Sequence, residues 1–79
     1  MAQVTARLRA PADIGNAIQQ ARLAQGLTQT ELAHHLGISQ RSVSEIETGR
    51  PTIYVRKLFE LMRATGVTLS ATYVDGYEE

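Results

Sequence analysis

From Asp13 onward the apolar positions of this chain fall at Ile14, Ala17, Ile18 and Ala21, the three- and four-residue spacing that turns one side of an α-helix inward. Gly26 stops this first helix. The run Thr28, Gln29, Thr30, Glu31 then reads as a capping box, in which the threonine hydroxyl accepts from the amide of Glu31 and the glutamate reaches back to the amide of Thr28. Leu32, Ala33 and Leu36 give a short second helix its apolar face, and Gly37 ends it where a left-handed turn is wanted. Ser39 caps a third helix over residues 40–47, with Val43 and Ile46 inward. Residues 48–51 form a turn. Thr52 caps a fourth helix that points Val55, Leu58, Leu61 and Met62 inward and stops at Gly66.

After Gly66 the period changes to two. Val67, Leu69, Ala71 and Tyr73 share one face, and Thr68, Ser70, Thr72 and Val74 share the other, the alternation of a strand rich in β-branched residues. Its backbone groups need partners. Residues 4–8 are one source; a second copy of the chain, pairing across a two-fold axis, is the economical one. The expected organisation is therefore a flexible arm over residues 1–12, a mainly α four-helix domain over 13–66, and a dimerisation strand with an acidic tail over 67–79.

At 79 residues the chain makes one domain, with a core of marginal size. It has no cysteine, so neither a disulfide framework nor a thiolate metal site helps it. No apolar run approaches the roughly 20 residues of a membrane span, and the first ten residues lack a signal-peptide core. A cytoplasmic protein, nucleoid-associated when bound to DNA, is expected. Net charge is zero, which alone disfavours a nucleic-acid binder. Its distribution does not: residues 1–65 hold all eight basic side chains against Asp13, Glu31, Glu45, Glu47 and Glu60, while Asp75, Glu78 and Glu79 sit in the tail. The body is mildly basic and the tail acidic.

Two short helices joined by a tight glycine turn, with the small Ala33 where they meet, define a helix-turn-helix. The second of the pair enters the major groove with its leading residues at the base edges. Those residues here are Ser39, Gln40 and Arg41, with Ser44 one turn on. Gln40 can pair bidentately with adenine and Arg41 with guanine. Gln29, beside Thr28 in the first turn of the preceding helix, is placed for a phosphate, assisted by the helix N-terminus.

Residues 13–66, about two-thirds of the chain, resemble the XRE family, the lambda-repressor-like helix-turn-helix fold of bacteriophage repressors. The stretches from Gly26 to Ala33, Leu36 to Gln40 and Val43 to Gly49 carry the likeness. It implies that Gln29 clamps a phosphate, that Gln40, Arg41 and Ser44 face bases, and that Arg50 contacts a further phosphate. It also implies that Arg22 and Glu47 pair structurally. A strand after the fourth helix resembles HipB-type antitoxins. That likeness implies an intermolecular ribbon through Val67, Leu69, Ala71 and Tyr73, a homodimer on double-stranded operator DNA that represses its own operon, and a HipA-like serine/threonine kinase toxin as partner. A repressor without a toxin shares the same DNA chemistry. A module that binds protein only is the reading the zero net charge favours.

Other residues read more plainly. His34 and His35 are neighbours whose side chains diverge on a helix, so they share no metal. Arg7 and Arg9 either form a groove-reaching arm or keep a loose N-terminal end soluble, and the second reading is preferred. Tyr54 suits contact with DNA or a partner as well as it suits packing at a helix surface, and Tyr73 and Tyr77 suit the ribbon. With no glycine-rich phosphate loop, no cysteine nucleophile and no Ser/His/Asp set, neither an enzyme nor a cofactor is expected.

Overall fold

The computed structural model describes residues 2–75 and runs β1 (Ala2–Leu8), α1 (Pro11–Ala24), α2 (Gln29–Leu36), α3 (Gln40–Glu47), α4 (Ile53–Thr65) and β2 (Leu69–Asp75). Four helices followed by a strand is the expected mainly α architecture. Tyr77 and the two tail glutamates, Glu78 and Glu79, lie outside the described residues.

The N-terminal segment corrects the expectation of a flexible arm. Residues 2–8 form a strand that pairs antiparallel with β2, in a register running from Ala2 opposite Asp75 to Leu8 opposite Leu69. The cause is visible in the residues: Ala2, Val4, Ala6 and Leu8 alternate with Gln3, Thr5 and Arg7, a strand period as regular as that of β2 itself. The partner for β2 thus comes from the same chain. On one face Val4, Ala6, Ala71 and Tyr73 are half-buried, and the sheet lies against α1. On the other, the hydroxyls of Thr5 and Thr72 share a hydrogen bond of 3.3 Å.

Helix α1 begins two residues earlier than periodicity suggested. Pro11 sits in the first turn, where its missing amide costs nothing, and Asp13 accepts from the amides of Arg9 (2.7 Å) and Ala10 (3.0 Å). The helix crosses α3 closely at Gly15, where an added Cβ would overlap the carbonyl oxygens of Ile46 and Glu47. Val67, expected on the strand, lies instead in the link between α4 and β2, tied back to the helix by its amide, which donates to the Met62 carbonyl (3.0 Å).

The core consists of Ala17, Ala33, Val43, Phe59 and Met62, with Phe59 fully enclosed. Several residues expected inward are exposed: Ile18, Leu36, Ile46, Leu58 and Leu61. On α3 the inward line runs from Val43 to Glu47, because Glu47 answers a buried arginine of α1. On α4 it runs Val55, Phe59, Met62, one stripe at helical spacing, which leaves Leu58 and Leu61 outside. The molecule is thin, 15 Å along its shortest axis against 43 Å along its longest, so much apolar surface remains uncovered. Among the described residues no helix is long and apolar enough to cross a membrane.

Candidate nucleic-acid interface

The turn that sets the two short helices comes from local chemistry. Thr28 accepts from the amide of Glu31 (3.0 Å), and the Glu31 carboxylate accepts from the amide of Thr28 (2.8 Å), so the capping box closes as expected. The backbone bond at Thr28, then its side chain, holds the Glu31 carboxyl below the usual range. At the other end of α2, Gly37 adopts φ 67°, a left-handed conformation that a Cβ would strain, and the amide of Ile38 donates to the Ala33 carbonyl (3.1 Å). Ala33 is buried at this corner, which keeps α2 and α3 close. Ser39 caps α3 by accepting from the amide of Ser42 (3.1 Å).

Behind this frame lies an ion pair. The Arg22 guanidinium donates from Nε to Glu47 Oε2 (2.6 Å) and from a terminal nitrogen to Oε1 (3.0 Å). Its third nitrogen donates to the Leu27 carbonyl (2.7 Å). Both residues are buried. The hydrogen bond from Arg22 holds the Glu47 carboxyl below the usual carboxylate range against the opposing effect of burial, and the same bond raises the arginine. One bidentate pair therefore ties α1, α3 and the loop after α1 together.

The pair reaches the surface through two amides. Gln29 Nε2 donates to Glu47 Oε1 (2.9 Å), and Gln29 Oε1 accepts from Gln40 Nε2 (2.5 Å). Arg22, Glu47, Gln29 and Gln40 form one connected line from the buried core to the first turn of α3. An amide has two faces, and this line fixes which atoms each presents: with its Oε1 occupied, Gln29 keeps one Nε2 hydrogen free, and Gln40 keeps its oxygen and its second hydrogen free. A free donor suits a phosphate oxygen, and a free donor–acceptor pair suits an adenine edge. Arg22 and Glu47 were legible in the sequence only as a structural pair. Their link to the two glutamines was not, because nothing in the chain's spacing shows that residues 29, 40 and 47 converge.

The remaining expected contact residues surround this line unequally. Thr28 and Ser39 are engaged as caps, and both stay exposed. Arg41 is exposed and folds along α3 to Glu45, Nε to Oε2 at 3.1 Å, an i, i+4 surface pair of small worth that a stronger acceptor can replace. Ser44 is half-buried, one turn on from Gln40. Arg50 is exposed in the turn after α3, anchored by its amide to the Glu45 carbonyl (3.1 Å). His34 and His35 are exposed on α2, and among the described residues no cluster of ligating side chains could hold a metal.

Comparison with known proteins agrees with this geometry. Residues 18–71 match a family model described as helix-turn-helix. Two curated relatives come from Sinorhizobium fredii (strain NBRC 101917 / NGR234). One, the uncharacterized HTH-type transcriptional regulator y4mF, is 33% identical over 63 residues, covering 80% of this chain and 83% of the relative. The other, the uncharacterized HTH-type transcriptional regulator y4dJ, is 38% identical over 55 residues, covering 70% and 71%.

Proposed function

Starting from a chain that belongs to the helix-turn-helix family of DNA-binding transcriptional regulators, we propose that it is a homodimeric, sequence-specific repressor of its own operon and the antitoxin of a HipBA-like pair. The observation that carries the DNA half of this reading is the hydrogen-bonded line from Arg22 to Gln40, which orients two amides on adjacent helix N-termini. In the bound state α3 lies in the major groove. Gln40 reads an adenine, Arg41 exchanges Glu45 for a guanine, and Ser44 touches the next base. Thr28, Gln29, Ser39 and Arg50 hold phosphates on either side.

Two features support the homodimer. The described sheet has two strands, so β2 has one neighbour and a second edge on which another strand can add. The exposed Leu69 and the half-buried Ala71 and Tyr73 lie on that strand. Antiparallel addition of a second β2 in full overlap, centred on Thr72, yields a four-stranded sheet and two α3 helices for successive major grooves. The kinase-toxin partner rests on the resemblance of this strand-ended fold to HipB-type antitoxins, and a repressor without a toxin uses the same interface with DNA.

A reporter fused to the chain's own promoter tests the repressor reading: the wild-type chain lowers its output and Gln40→Ala restores it. Unchanged output with wild-type protein removes that reading. The adjacent reading frame tests the antitoxin reading, which requires a kinase-like product whose growth arrest this chain relieves.

A further inference from the structure

A cavity of about 390 Å³ opens where the C-terminal end of α4 meets the Leu8–Leu69 end of the sheet. Its base is apolar, formed by Leu8, the buried Met62 and Val67, while Arg7, Arg9 and Arg63 stand exposed around it. Among the described residues that line it there is no carboxylate. Three cations over an apolar base suit an acidic segment that carries an aromatic side chain. The chain holds one such segment, Gly76, Tyr77, Glu78 and Glu79, directly after Asp75.

That segment cannot reach its own chain's cavity. Asp75 pairs with Ala2, at the far end of the sheet from Leu69. Six strand steps separate the two ends, about 20 Å, whereas four extended residues span at most about 14 Å. A second copy removes the difficulty. When two β2 strands add antiparallel in full overlap, the Asp75 end of each lies beside the Leu69 end of the other. Residues 76–79 then run past the partner's Thr68, the partner's Val67 and the partner's Gly66, on the edge of the partner's cavity.

We infer that the cavity between α4 and the sheet is the receptor for the acidic tail of a second copy, with the Tyr77 ring on the apolar base and Glu78 and Glu79 among the three arginines. The inference rests on the homodimer reading above and adds a second, charge-dependent contact to it. It also assigns a use to the acidic tail that brings the chain to zero net charge: in the dimer the tails neutralise the basic cluster of Arg7, Arg9 and Arg63.

The test measures the dimer dissociation constant of the full chain by sedimentation equilibrium at roughly 50 mM and 500 mM salt, where screening lengths differ severalfold. Deletion of residues 76–79 and the substitution Arg63→Glu are each expected to weaken the dimer about fivefold at low salt; at high salt the Arg63→Glu difference vanishes, while the deletion keeps the smaller, salt-independent loss of the Tyr77 contact. Arg63→Glu combined with Glu79→Arg is expected to recover most of the loss, and Arg63→Gln to show an intermediate effect without a reversed charge. A wild-type dimer whose constant neither change moves overturns tail docking and leaves β2 pairing intact. A monomeric wild type overturns both. If Arg63→Glu leaves the dimer unmoved but weakens DNA binding equally with and without residues 76–79, the arginines serve a phosphate backbone and the inference falls.

Discussion

Gln40, at the first position of α3, donates to Gln29, at the first position of α2, and Gln29 in turn donates to the buried Glu47. The two helix N-termini proposed to face a DNA backbone and a DNA groove are therefore not independent. The amide proposed to read the groove is oriented by the one proposed to face a phosphate, which is anchored to the core. Substitutions at the two positions should couple. In a double-mutant cycle on operator affinity, Gln29→Ala and Gln40→Ala are expected to depart from additivity by about 0.5–3 kcal/mol, the range for residues in one hydrogen-bond network. Additive losses within about 0.3 kcal/mol would show that the contact between the amides does not persist on DNA.

The ion pair behind them makes a separable prediction. Glu47→Ala leaves the Arg22 cation buried without its counter-charge and is expected to cost about 3–5 kcal/mol, a large share of the stability of a domain this small. Replacing both partners with apolar residues, Arg22→Met with Glu47→Leu, is expected to restore most of that stability, since a buried pair is often no better than a packed apolar one. DNA affinity should not return, because Gln29 loses its acceptor. Urea denaturation and a binding titration on the same two variants separate the effects. Full recovery of both would mean that Glu47 has no positioning role.

The pH dependence follows from the same carboxylate. Its pKa is held below the ordinary value of 4.5 when folded, so it contributes stability that is fully present above that value and is lost as pH falls through the lower, folded one. Glu31, depressed by its capping bonds, acts in the same direction from an exposed position. The unfolding midpoint is expected to be flat from pH 7 to about 5 and to drop below 4.5. In Glu31→Gln the drop should be slightly shallower. In the Arg22→Met, Glu47→Leu chain it should be much shallower. A wild-type profile that is steep between pH 5 and 7 would show that these two carboxylates do not set the pH dependence.

Close approach sets the order of two glycine substitutions. Gly15→Ala places a methyl group against the carbonyls of Ile46 and Glu47, rigid backbone at both, whereas Gly37→Ala meets open space and bears only the strain of a left-handed φ. Overpacking costs about 1–3 kcal/mol and a left-handed alanine about 1–2. Thermal unfolding is expected to rank Gly15→Ala as the more damaging, and to show its loss propagating to DNA affinity because it displaces the end of α3 that holds Glu47.

Much of this organisation is legible in the residues. Caps at Thr28, Ser39 and Thr52, and glycine stops at Gly37 and Gly66, place α2, α3 and α4 to within a residue, because each depends on chemistry contained in one turn. What depends on distant partners is less visible. Residues 2–8 have the alternation of a strand, yet their partner lies 67 positions away at the Thr5–Thr72 pair, and sequence spacing gives no distance between them. The inward faces of α3 and α4 are misjudged for the same reason. Apolarity alone favours Ile46 over Glu47, and only the position of Arg22 on another helix reverses that order. The candidate site residues were chosen by type and local position, while the line that connects Gln29 and Gln40 to Glu47 and Arg22 is a tertiary fact.

The most direct measurement is equilibrium binding of the wild-type chain and Gln40→Ala to two duplexes of equal length, its own upstream DNA and a shuffled version, over a series of salt concentrations. Wild-type binding should be tighter on the upstream duplex by at least about a thousandfold and should weaken steeply with salt on both. Gln40→Ala should lose about 1–3 kcal/mol on the upstream duplex and almost nothing on the shuffled one. Equal losses on both duplexes, or binding indifferent to salt and sequence in the wild-type chain, would contradict a base-reading role for the leading turn of α3.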